Sequence, residues 1–170
     1  MNEFTLPVYA KKAAKYYKMA ADLGNIEAMR KYADLLFEGI FIEINKKEAL
    51  YYYELASNAG DMNSLLKYVS IIGDRYEIYF DVKKAELYLK TAINKGSFEA
   101  MNKYACMLYD GYEIKQNIEE ASKLFKLAAD NGNVEAMNNY GFLLYNKTLN
   151  VENEEYIEYF KKAADSGDAK

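Results

Sequence analysis

The sequence predicts an all-α solenoid of stacked antiparallel helix pairs, and three observations carry that expectation. Gly24, Gly60, Gly96, Gly132 and Gly167 recur at spacings of 36, 36, 36 and 35 residues, and a fixed period of this size belongs to repeat arrays. The segments before and after these glycines place apolar residues at i, i+3, i+4 and i+7, the period of a one-faced helix. Each glycine is followed at once by an N-cap residue: Asn25, Asp61, Ser97, Asn133 or Asp168. A glycine just past a helix end takes the left-handed conformation that lets the last carbonyls find partners, and the next side chain accepts from the free amides of a new helix. One helix thus stops where an antiparallel one starts.

The elements follow in chain order. AAKYYKMAADLG precedes Gly24 as a helix over about 7–23, with Pro7 in its first turn. NIEAMRKYADLL follows that glycine, and Asn45 with Glu48 forms a capping box opening ALYYYELASNAG. DMNSLLKYVSII comes next. Gly39 and Gly111 lie fifteen residues after their repeat glycines, but Arg75 holds that slot here and Gly73 comes two residues early. This helix is therefore expected to end early, with an altered connection from Asp74 to Asp81. Asp81 opens AELYLKTAINKG without a capping glutamate. SFEAMNKYACML and, behind the Asn117–Glu120 box, ASKLFKLAADNG form the next unit. NVEAMNNYGFLL and YIEYFKKAADSG form the last, with Lys147 at the loop-glycine slot and one residue fewer.

Small residues recur where helices must approach closely: Ala20, Ala56, Ala92, Ala128 and Ala163; Ala13, Ala49, Ala85 and Ala121, then Tyr156; Ala28, Ser64, Ala100 and Ala136. Large residues recur between them: Tyr17, Tyr53, Leu89, Phe125 and Phe160 on one helix, Met29, Leu65, Met101 and Met137 on the other, with a seam of Tyr32, Tyr68, Tyr104 and Tyr140. Stripes at helical spacing read as core rather than as a cofactor site.

Composition narrows the function. The 170 residues are 51% hydrophobic and 28% charged, with a net charge of −4, ordinary for one folded domain and without the basic balance of a nucleic-acid binder. No apolar run spans a membrane and no signal-peptide core is visible, so a cytoplasmic location is expected. Histidine is absent and Cys106 is the only cysteine. His-based triads, thiolate metal sites and internal disulfides are therefore excluded, and the isolated glycines form no phosphate loop. The expectation is a non-enzymatic protein with no cofactor and no metal.

The phrase Ala-x-x-Tyr-Tyr-x-x-Ala-Ala-x-x-Gly-Asn-x-x-Ala-Met from Ala13 to Met29, with the 36-residue period and the loop glycines, resembles the Sel1-like repeat, a relative of the tetratricopeptide repeat. The chain departs from it with Tyr32, Tyr68, Tyr104 and Tyr140 where the family usually has Leu, and with Leu36, Ile72, Leu108 and Leu144 where it has Tyr. The resemblance implies a right-handed superhelix of about nine helices in a single domain, 1–170. It would hold an unpaired second-type helix at 7–24, repeats at 25–60, 61–96, 97–132 and 133–167, and the start of another at 168–170. Neither end carries a polar capping helix, so a longer array or an end packed on another chain is expected.

By analogy with tetratricopeptide arrays, the helix following each repeat glycine lines a concave face. This face would hold Lys31, Lys67 and Lys103 in a row ending in Asn139, an acidic rim of Glu38, Asp74 and Asp110, and between them Arg30, Leu66, Asn102 and Asn138, then Phe37, Tyr109, Phe142 and Tyr145. Lysine and asparagine can grip peptide carbonyls or acidic groups, and aromatic rings supply anchor area. Glu27–Lys31 and Glu99–Lys103 also read as ordinary i,i+4 surface pairs, worth only ~0.2–0.5 kcal/mol. Cys106 reads as a half-buried small residue on this side. The expected function is a protein-interaction scaffold binding a peptide or partner protein on the concave face. A structural module that stacks end to end or supports a fused domain is the alternative.

Overall fold

The structure, a computed structural model, describes residues 6–40, 42–74, 77–112, 114–146 and 154–167. Among these it holds nine α-helices and no strand: α1 (Leu6–Asp22), α2 (Ile26–Glu38), α3 (Lys46–Asn58), α4 (Met62–Ile72), α5 (Val82–Asn94), α6 (Phe98–Asp110), α7 (Ile118–Asp130), α8 (Val134–Tyr145) and α9 (Glu155–Gly167). The chain divides into two compact units, Met1–Phe80 and Asp81–Lys170. In the first, α1 packs on α2, α2 on α3 and α3 on α4. In the second, each helix from α5 to α9 packs on the next.

The repeat turn has one construction at four of its five glycines. Gly24, Gly60, Gly96 and Gly132 take φ between +84° and +101°. At the first of them the Gly24 amide donates to the Ala21 carbonyl (2.9 Å) and the Asn25 amide to the Ala20 carbonyl (3.0 Å), a Schellman closure. Asn25 then caps α2, its side-chain oxygen accepting from the Ala28 amide at 2.8 Å. Asp61, Ser97 and Asn133 do the same for Ser64, Ala100 and Ala136. One residue thus ends one helix and starts the next. Gly167 behaves differently: it is the last residue of α9 and has no left-handed φ. Asp168, Arg75 and Lys147 lie outside the described residues.

The other connection is built alike after α2 and α6. Gly39 and Gly111 are left-handed, and the Asn45 and Asn117 amides donate back to the Leu36 and Leu108 carbonyls, both at 2.9 Å. After α4, Gly73 is right-handed and the helix closes at Ile72, eleven residues long against thirteen in α2 and α6. The early end expected from the missing loop glycine is observed.

The core is the small–large seam. Ala49, Ala56, Ala85, Ala92, Ala121, Ala128, Ala100, Ala136 and Ser64 are fully buried, and the four seam tyrosines, the three methionines and Leu65 lie beside them. On α1 the pattern fails. Ala13 is exposed, Ala20 half-buried and Tyr17 38% exposed, where Tyr53 is 1% exposed. Among the described residues no helix packs on that side of α1. Tyr156, on α9, is half-buried.

Candidate functional site

The helices that follow the repeat glycines carry the residues predicted to line a face, and those of α2 and α4 differ chemically from those of α6 and α8. On α2 and α4 the charges neutralise each other. The Lys67 ammonium lies 2.5 Å from the Asp34 carboxylate, which also accepts from the Tyr53 hydroxyl at 2.7 Å. Arg30 Nε sits 3.5 Å from Asp61 without making a hydrogen bond. Leu66 is buried, so it supplies packing rather than contact area. The Lys46 ammonium covers the half-buried Phe37 ring at 5.6 Å. Lys31 alone has no ion pair among the described residues.

On α6 and α8 the same positions are mostly neutral. Asn102 is 2% exposed and must be satisfied internally. Its amide donates to Glu135 at 3.1 Å and its carbonyl accepts from the Asn139 amide at 2.9 Å. The Asn139 amide also points at Cys106 Sγ, 3.6 Å away. Asn139 is thereby fixed by its nitrogen, and among the described residues no hydrogen bond occupies its carbonyl oxygen. Asn138 beside it is exposed and makes no hydrogen bond among the described residues. Lys103 reaches Glu99 only at 4.0 Å. Tyr109 is half-buried, and its backbone carbonyl accepts from Gln116 at 2.7 Å. Phe142 and Tyr145 are 49% and 59% exposed, with the Tyr145 ring edge-on to Tyr156 at 5.4 Å. Cys106 is half-buried; burial, with Asp110 and Glu135 nearby, pushes its thiol up to about 11. The shift disfavours the thiolate, the nucleophilic form, near neutral pH.

A second type of polar cluster was missed in the sequence. The Lys18 ammonium donates to the Tyr52 hydroxyl (2.8 Å) and to Glu48 (3.2 Å), Tyr52 donates to Asp22 (2.5 Å), and the Tyr32 and Tyr52 rings meet edge to face at 5.1 Å. Around α7–α9 the same set of one lysine, one aspartate, one glutamate and two tyrosines recurs. Lys126 donates to Tyr159 and Glu155 (both 3.1 Å), Tyr159 donates to Asp130 (2.8 Å), and the Tyr140 and Tyr159 rings lie 4.8 Å apart. The tyrosine hydrogen bond raises each lysine above its ordinary range. These are locks between successive repeats. Their sequence signal is Lys six, Tyr eight and Asp two residues before a repeat glycine. Where Leu124 replaces the tyrosine, Lys90 turns instead to Glu86 on its own helix at 2.7 Å.

The Sel1 repeat family model matches residues 7–25, 26–61, 98–133 and 157–168. The chain belongs to the Sel1 repeat family. The stretch outside the match in mid-chain contains the repeat whose first helix ends early. Among solved structures the chain is similar to c5321, a protective antigen present in uropathogenic Escherichia coli strains displaying an SLR fold. Identity there is 20%, with 91% of this chain and 33% of that one covered and a TM-score of 0.76. It is similar to a Sel1 repeat protein from Oxalobacter formigenes at 26% identity, covering 88% and 61%, with a TM-score of 0.75. It is also similar to the immunity protein Pa5087 from Pseudomonas aeruginosa at 20% identity, covering 91% and 57%, with a TM-score of 0.60. The chain therefore spans between a third and about three-fifths of the length of these three proteins. No curated protein matches it in sequence.

Sel1 repeats typically mediate protein–protein interaction, and proteins built from them are generally non-catalytic scaffolds. Among the described residues no group of three or more acidic or cysteine side chains could hold a metal ion, and no helix is long and apolar enough to cross a membrane.

Proposed function

We propose that this Sel1 repeat protein is a non-enzymatic scaffold that binds an extended peptide segment of a partner protein across α6 and α8. The observation supporting this reading is the relay Glu135–Asn102–Asn139, which fixes one carboxamide and leaves its carbonyl open beside the unengaged Asn138. Asparagine is a poor helix former, and a carboxamide both donates to and accepts from a peptide backbone. Lys103 would meet an acidic group of the ligand. Phe142, Tyr145 and Tyr109 would provide anchor area. Arg30 and Lys67 are engaged internally, which favours the α6–α8 face over the α2–α4 face. Preorganisation lowers the ordering cost of binding.

The test is selection from a displayed library of unstructured twelve-residue peptides against the wild-type chain, with recovery compared on Lys103→Glu/Asn138→Ala. Asn138 is exposed and Lys103 half-buried with only a 4.0 Å pair to Glu99, so the fold should persist. Peptides enriched on the wild type and at least tenfold weaker on the double variant support the reading. Peptides indifferent to it, or enrichment of none, would remove it.

A further inference from the structure

We propose that the cavity between α5, α6 and the α6–α7 loop binds a small carboxylate with an apolar body, held at its charged end by Lys83 and Lys115. The site uses Tyr104 and Leu108 of α6 rather than Asn102 or Lys103, and so stands apart from the peptide reading.

The cavity, of about 550 Å³, falls where a repeat lock is incomplete. Lys18, Tyr32 and Glu48 stand seventy-two residues before Lys90, Tyr104 and Glu120. In the first set Glu48 collects the Lys18 ammonium at 3.2 Å and the Tyr32 hydroxyl at 3.3 Å. In the second, Leu124 and Asn94 stand in place of the lock's tyrosine and aspartate, and Glu86 stands in place of the buried Ala14. Glu86 captures both groups instead: Lys90 donates to it at 2.7 Å and Tyr104 at 3.0 Å. Glu120 is left with Asn117, whose side-chain amide donates to its carboxylate at 2.9 Å. Glu86 and Glu120 both lie in the cavity wall.

The lining sorts by chemistry. Tyr104 and Leu108, each 5% exposed, and the half-buried Ile114 form an apolar floor. Both carboxylates of the wall are already engaged. Lys83 and Lys115 are exposed and make no ion pair or hydrogen bond among the described residues. The charge offered to a ligand is therefore that of two ammonium groups, which favours an anion. A phosphate fits less well. Asn117 already caps α7, its side-chain oxygen accepting from the Glu120 amide at 3.1 Å, and a second negative charge on the ligand would face Glu86 and Glu120. A monocarboxylate meets the lysines and lays its apolar body on the floor.

The loop wall is preorganised. Gly111 takes φ +67°, and a Cβ there would lie 2.6 Å from the Gln116 Cβ. The Gln116 side-chain amide donates to the Tyr109 carbonyl at 2.7 Å, and the Asn117 amide to the Leu108 carbonyl at 2.9 Å. The cavity is within the range of small-molecule sites, roughly 300–1,000 Å³.

The probes are hexanoate, octanoate and 3-phenylpropanoate, each paired with its uncharged primary amide and titrated into the 15N-labelled full chain. The expected result is saturable shifts at Tyr104, Leu108, Ile114 and Gln116 with at least one acid, and binding at least about tenfold weaker for its amide. In Lys83→Gln/Lys115→Gln, at two exposed positions that the fold tolerates, the acid should bind no better than the amide. Lys83→Arg/Lys115→Arg should keep the preference. No saturable shift at these residues with any acid up to about 5 mM, or amides binding as well as acids, would overturn the proposal. So would an acid preference unchanged in the double glutamine variant. Inorganic phosphate saturating the same residues at a lower concentration than every acid would overturn it too, giving the cavity to phosphate.

Discussion

Asp34 holds the Tyr53 hydroxyl at 2.7 Å and the Lys67 ammonium at 2.5 Å, so one carboxylate joins α2, α3 and α4. The two contacts are unequal. Tyr53 is among the largest fully buried side chains, and burial, reinforced by Asp34, raises its hydroxyl well above the usual tyrosine range. The lysine is solvent-exposed and its ion pair is worth at most ~1 kcal/mol. Asp34→Ala should destabilise by about 1–3 kcal/mol, because it orphans a buried hydroxyl. Most of that loss should vanish in a Tyr53→Phe background, as read from urea denaturation midpoints in a double-mutant cycle.

The Lys18 and Lys126 clusters predict a pH dependence. In the folded chain both lysines, and Tyr52 and Tyr159 with them, are raised above their ordinary values. A raised group contributes stability that is fully present below its unfolded value, near 10.5 for these lysines, and is lost as pH rises through the folded value. Stability should therefore be insensitive to these groups at pH 7–9 and fall above about pH 10. Tyr52→Phe and Tyr159→Phe should each cost about 1 kcal/mol at pH 8 and flatten the alkaline decline in urea titrations.

The helices and the turns at Gly24, Gly60, Gly96 and Gly132 were legible because their signals are local: a glycine, a cap and a helical period occupy consecutive positions. Gly73 against Arg75 sufficed to foresee the short α4. Contacts thirty or more residues apart were not legible in the same way. Lys67 and Arg30 lie at face positions by periodicity, yet both reach across to a carboxylate of a neighbouring repeat. Asn102 reads as a face residue but turns inward to position Asn139. The Lys–Tyr–Asp lock was present as a recurrent spacing, but it involves five side chains from three helices, and no single helix shows it. Gly167 carried the period of a turn glycine and lies instead within α9.

Cys106 should react slowly. With its thiol raised to about 11, from the ordinary value of 9.0, the thiolate fraction at pH 8 falls by about a hundredfold, and the thiolate is the nucleophile. Iodoacetamide modification of the folded chain should be slower by about that factor than of the urea-unfolded chain, and its rate should climb towards pH 11. Asn139→Ala should speed it by opening access to the sulfur.

Gly141 sits where a Cβ would lie 3.0–3.3 Å from the Phe160 ring. Alanine gains up to ~1 kcal/mol of helix propensity over glycine, while overpacking costs about 1–3 kcal/mol. Gly141→Ala should therefore be neutral to destabilising alone. It should become stabilising in a Phe160→Leu background, by thermal denaturation.

The most direct test of the binding face is a 1H–15N titration of the chain with a library-selected peptide. Shifts concentrated at Asn102, Lys103, Asn138, Asn139 and Phe142, and absent in Lys103→Glu/Asn138→Ala, are the predicted result. Shifts concentrated on α2 and α4, with Asn138 and Asn139 unmoved, would contradict it.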